Sequence, residues 1–178
     1  MGIQEVLKEL ENIKASRSIL QNVILALLTI DNKPIHGKTK LQKMIFLLSQ
    51  IVPELKEEVS YEAYDYGMYD SAVEDALDLL ESENLIVVSE SNEIRLMDKN
   101  SGEEALKSLE IYKDKIREIK EMYNDLTEDE MLAIVYTLFP EYAKYSEKRD
   151  DIERKRKSIA IRLYQKGKAS LGLESKIA

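Results

Sequence analysis

The chain has no cysteine. That excludes disulfides, a thiolate zinc site and a cysteine nucleophile, and it fits a cytoplasmic location. It has a single histidine, His36. One histidine cannot build a multi-histidine metal centre, and no second clue supports a Ser-His-Asp arrangement. Proline occurs only at Pro34, Pro53 and Pro140, and each is read as stopping or breaking a helical stretch. The longest apolar run, residues 19–30, contains Gln21 and Asn22 and is too short to span a bilayer. Glu5, Lys8, Glu9 and Glu11 precede any apolar run, unlike a secretory signal.

Two absences are local. Residues 32–52 hold no acid, yet they include Lys33, Lys38, Lys40 and Lys43. Residues 70–84 hold no base but six acids. The chain as a whole carries a formal net charge of −8, which argues against a generic nucleic-acid binder.

What is present reads as mostly helix. With 178 residues, 44% of them hydrophobic, there is enough material for one core of ordinary size or a domain with an appendage. Ile3, Val6, Leu7, Leu10 and Ile13 share one face of a first helix. A second, opened by Ser16 or Ser18, is apolar nearly all round and is expected at the centre of the core. Gly37 opens a third, over 38–52, and an acidic loop is expected over 54–60. Tyr61, Tyr64, Tyr66 and Tyr69 cluster around Gly67 and suit core packing or an interface.

The stretch 69–96 organises the rest. Val73, Ala76, Leu77 and Leu80 form a helical stripe, with Asp70 or Ser71 as cap and Ser71 with Glu74 as a capping box. Asn84 ends the helix, and residues 85–88 and 94–97 make a hairpin across the polar stretch 89–93. A helix followed at once by a hairpin closes a winged helix-turn-helix domain. The expected fold is therefore mostly α with a small β-hairpin: a winged-helix domain over 1–98 and a helical extension over 101–178.

In that extension a long helix is expected over 103–126. Ala105, Leu109, Tyr112, Ile116, Ile119 and Tyr123 follow a coiled-coil spacing, which predicts a homodimer interface. Thr127 with Glu130 reads as another capping box, and Ser146 as the cap of a last helix. Residues 144–168 carry ten bases against four acids, which suits either nucleic acid or docking on the acidic helix at 70–84 of the same or a second subunit.

Charge placement divides the functional readings. Asp75, Asp78, Glu74 and Glu81 occupy the helix that would enter a major groove, where carboxylates are repelled by phosphates. Lys38, Lys40 and Lys43 lie on the preceding helix, which crosses the backbone in helix-turn-helix proteins. The candidate nucleic-acid contacts are Lys38, Lys40, Lys43, Ser71, Arg95, Lys155, Arg162 and Lys166. Gly37, Lys38 and Thr39 are no phosphate-binding loop, because Asn32 replaces the required glycine and no strand precedes it. No residue set suggests catalysis, a metal or a cofactor.

Residues 36–48, with the Lys40-Leu41-Gln42-Lys43 run, then Tyr64, Tyr66 and Gly67, then 77–86, resemble the core of Panacea-type antitoxins and related winged-helix proteins. Asn84 stands where glycine is usual, and Met68 where proline is usual. Residues 77–102 also resemble PadR- and MarR-like regulators. Residues 160–171 are similar to the opening of small helix-turn-helix antitoxins. The resemblance implies a non-enzymatic winged-helix regulator that binds double-stranded DNA. The rival it implies is an antitoxin-like module that binds a protein and no DNA.

Overall fold

The computed structural model describes residues 2–15, 17–64 and 67–168, and for 10–15, 62–64 and 67–68 the backbone alone. Tyr66, Ser16 and the tail from 169 onward lie outside the described residues, as do the side chains of Leu10, Ile13 and Tyr64.

The chain begins with α1 (Ile3–Ala15), whose described side chains are exposed. Helix α2 (Ile19–Thr29) starts on a capping box between Ser18 and Gln21. Its first two amides also donate to the Glu58 carboxylate at 3.0 and 2.8 Å. All residues from Val23 to Leu28 are buried, so this helix is the axis of the core, as its all-round apolarity predicts.

A turn with Asn32 at φ 54° leads into β1 (Ile35–His36) and then α3 (Lys38–Ser49), opened by Gly37 at φ 103°. No L side chain adopts that φ readily. α3 stops at Ser49, short of the expected 52, and Pro53 does not end it but is the first residue of a short helix, α4 (Pro53–Glu58). The expected loop is helical there because Pro at N1 suits the first turn and Leu55 is buried. A small ribbon, β2 (Glu62–Tyr64) with β3 (Gly67–Tyr69), precedes α5 (Ser71–Ser82). Asp70, not Ser71, caps α5, accepting from the Ala72 amide at 2.8 Å.

Asn84, at φ 58°, turns the chain into β4 (Ile86–Val88) and β5 (Glu93–Leu96). These form the expected hairpin, with the Ser89 amide donating to the Glu93 carbonyl at 2.9 Å and Asn92 at φ 61°. β5 also pairs with β1, so one antiparallel sheet has the order β1-β5-β4. Ile35 faces Ile94 in register, and both are fully buried.

The coiled-coil expectation fails. Instead of one long helix there are α6 (Lys99–Ser108), a 3-10 turn (Glu110–Tyr112) and α7 (Lys113–Tyr123). The break lets α6 lie on α2 while α7 packs on α3 and α2. Leu109, Ile116, Ile119 and Tyr123 are buried within this single chain, and Tyr112 is half-buried. The Tyr112 hydroxyl donates to Glu54 at 2.7 Å. The stripe is core, so the reason for expecting a homodimer is removed.

Helix α8 (Glu128–Leu138), a 3-10 turn (Pro140–Tyr142) and α9 (Arg149–Gln165) are the last elements of the described residues. α9 starts three residues after Ser146, whose hydroxyl instead meets the Tyr136 hydroxyl and accepts from the Lys148 amide. One cluster of buried apolar side chains runs from Leu20 to Leu163, continuous across the boundary expected at 98–101. Phe46 sits within it, edge-on to Tyr61, Phe139 and Tyr142 at 4.8–5.2 Å between centroids. Among the described residues, no helix is long and apolar enough to cross a membrane.

Candidate functional site

Helix α5 is fixed at its start by a polar clasp. The buried Gln42 amide donates to the Asp70 carbonyl at 2.9 Å and accepts from the Asp70 amide at 3.2 Å. The Asp70 carboxylate accepts from the Ser60 amide as well as from Ala72. Tyr61 donates to the Gln42 carbonyl, and burial beside Asp70 holds its hydroxyl pKa well above the ordinary value. Val73, Ala76, Leu77 and Leu80 are buried, which turns the opposite face outward. That face carries Asp75, Asp78 and Ser82, with Leu79 44% exposed among them. Glu81 accepts from the Val88 amide at 3.0 Å and ties the helix to the hairpin.

The lysines expected on phosphates are engaged inside the molecule. Lys38 reaches Glu74 at 3.0 Å, and that hydrogen bond raises its pKa against the opposing effect of burial. Lys40 is buried and donates to the Asn124 carbonyl at 2.8 Å. Desolvation lowers its pKa, with Asp125 and Glu130 opposing and Lys166 assisting. Lys43 is 2% exposed, and burial pushes its ammonium down to about 8 although Glu128 favours the charge. Lys40 and Lys43 are therefore no surface patch: α7 and α8 pack over the face of α3 that carries them. Ser71 is exposed in the first turn of α5. Arg95 pairs with Glu93, which also lies 3.1 Å from His36 Nδ1.

The basic last helix docks internally, though on a different acidic segment from the one expected. Lys155 bridges Asp129 at 3.1 Å and Asp151 at 2.9 Å. Lys166 and Arg162 meet Glu130 at 2.8 and 3.6 Å. Glu130 is 1% exposed and would be a costly unpaired charge without them. The Thr127–Glu130 box is only half made: Thr127 accepts from the Glu130 amide, while the Glu130 side chain turns to α9. The three cations cover the acidic first turn of α8, where the helix dipole also favours carboxylates.

Sequence reasoning missed Lys120. Its side chain is fully buried and donates to Asp31 Oδ1 and to the Leu27 and Lys33 carbonyls at 2.6–2.9 Å. Its only signal is its place between Ile119 and Tyr123 on the buried stripe. Among the described residues no group of three or more His, Cys, Asp or Glu is placed to hold a metal ion.

Against this geometry, comparison with known proteins returns nothing. No family model, curated protein or solved structure matches the chain.

Proposed function

We propose that residues 19–96 form a winged-helix domain whose α5 recognises a cationic protein surface instead of a DNA groove. The order α2, β1, α3, α5 and the β4-β5 hairpin, with α4 and the β2-β3 ribbon inserted before α5, and the strand order β1-β5-β4 support the architecture. In that arrangement α5 is the helix offered to a partner and the 89–93 turn is the wing.

One observation carries the choice of partner. The exposed face of α5 presents Asp75 and Asp78, while Lys40 and Lys43, the cations that would offset them against phosphates, are sunk beneath α7 and α8. Each uncompensated carboxylate facing a duplex opposes binding. The same carboxylates around Leu79 suit a basic rim with an apolar centre. This reading agrees with the antitoxin-like half of the resemblance and involves no catalysis.

The test is fluorescence anisotropy with a labelled mixed-sequence duplex at about 50 mM salt, where phosphate contacts are strongest. The natural chain is expected to bind more weakly than ~100 μM, at or beyond the weak end of non-specific binding. Asp75→Lys with Asp78→Lys is expected to gain at least roughly tenfold, and to lose that gain as salt rises. Micromolar, steeply salt-dependent binding by the natural chain would return the function to duplex recognition.

A further inference from the structure

We propose that the cleft between the end of α8, the Pro140–Tyr142 turn and the first two turns of α9 binds a small organic anion with an apolar body. The cleft encloses about 720 Å³. That lies within the ~300–1,000 Å³ of small-ligand sites.

Its floor is apolar. Ala133 and Ile152 are buried there, and the Tyr136 ring closes one side. The one polar group on that ring is already used, because its hydroxyl meets Ser146. The floor thus favours hydrocarbon over a polar tail.

Its rim is cationic. Lys144, Arg149 and Arg156 line it against Glu141 and Glu153, and Glu153 is held by Arg156 at 2.9 Å. Arg149 departs from the pattern of α9. Arg154, Lys155, Arg156, Arg162 and Lys166 each meet a carboxylate, whereas Arg149 and Lys157 make no ion pair among the described residues, and of these two only Arg149 lines the cleft. Among the described residues Lys144 makes no ion pair and lies 5.3 Å from the Tyr145 ring. Successive turns, with Ser146 donating to the Ala143 carbonyl and Arg149 to Ser146, hold these two cations around one opening. A guanidinium and an ammonium over hydrocarbon select a carboxylate or sulfonate on an aromatic or branched body.

The probe is 2-naphthalenesulfonate, titrated calorimetrically into the whole chain, with the neutral 2-naphthalenesulfonamide as its isostere. One equivalent is expected to bind, and the sulfonamide roughly tenfold or more weaker, as loss of a charge-assisted bond implies. Arg149→Gln should weaken the sulfonate by about tenfold. Lys157→Gln, an exposed α9 cation outside the cleft lining, should leave affinity unchanged. Both positions are exposed, and circular dichroism checks that the variants stay folded. No saturable heat, equal binding of sulfonate and sulfonamide, or equal affinity of the Arg149 and Lys157 variants each overturns the proposal.

Discussion

At the scale of single residues, buried lysines are the chief departure from what residue type alone suggests. Lys43 has its pKa lowered from 10.5 to about 8 by burial. Between those values the unfolded chain binds more protons than the folded one, so stability rises with pH. Below about 8 the folded state carries the full cost of the buried charge. Replacing Lys43 with methionine removes the titrating group and keeps most of the volume. Chemical denaturation from pH 7 to 10 should then show the natural chain gaining up to ~3 kcal/mol relative to Lys43→Met. Parallel profiles would mean that the ammonium is not buried in solution. Nothing in the local sequence announces this burial. On a helical wheel Lys40 and Lys43 share a face, roughly 60° apart, and Lys38 lies on another. The wheel does not say which face is covered; the arrival of α7 and α8 buries the first two and leaves Lys38 half-exposed.

At the scale of elements, the caps at Ser18 and Asp70 and the turn at Asn84 follow from local chemistry, whereas Ser146 and the Glu130 side chain, also expected to cap, are drawn to distant partners. Ser18 and Asp70 cap helices through side chains two or three residues from the amides they satisfy. Asn84 and Asn92 take the left-handed turns that Asn tolerates. The coiled-coil spacing misled because an apolar stripe records that a face is buried, not by what. Gly102 shows the hidden partner. It lies in α6 against α2, and a Cβ there would overlap Thr29 Oγ1 and come within 2.9 Å of Leu96 Cδ2. Gly102→Ala should therefore force α6 away from α2 and cost about 1–3 kcal/mol, outweighing the ~1 kcal/mol of added helix propensity. A thermal melt showing Gly102→Ala more stable than the natural chain would place that helix elsewhere.

At the scale of the whole molecule, the chain meets most of its own demands. The acidic start of α8 is met by α9, and the stripe from Leu109 to Tyr123 by the core. Burial within one chain makes a specific prediction. Ile116→Asp places a charge at a fully buried site, so it should unfold the protein, by about 3–5 kcal/mol, instead of splitting a dimer. In the natural chain the melting midpoint should not depend on concentration through this stripe. A folded, half-mass species from Ile116→Asp in light scattering would restore the dimer seam. The acidic face of α5 belongs to this scale too: it is left over once Lys40 and Lys43 have been buried and Lys38 has paired with Glu74.

The amino-acid sequence by itself determined the helical character, the hairpin after α5, the caps at Ser18 and Asp70, the turn at Asn84, and the segregation of charge. Each rests on periodicity, or on a side chain bonding its own neighbourhood. The tertiary structure alone decided which charges face solvent and which apolar faces are already covered. Exposure is a property of what packs on a residue from far along the chain. Lys120 and Asp31, 89 positions apart yet 2.9 Å from atom to atom, can find each other only after the core has closed around them.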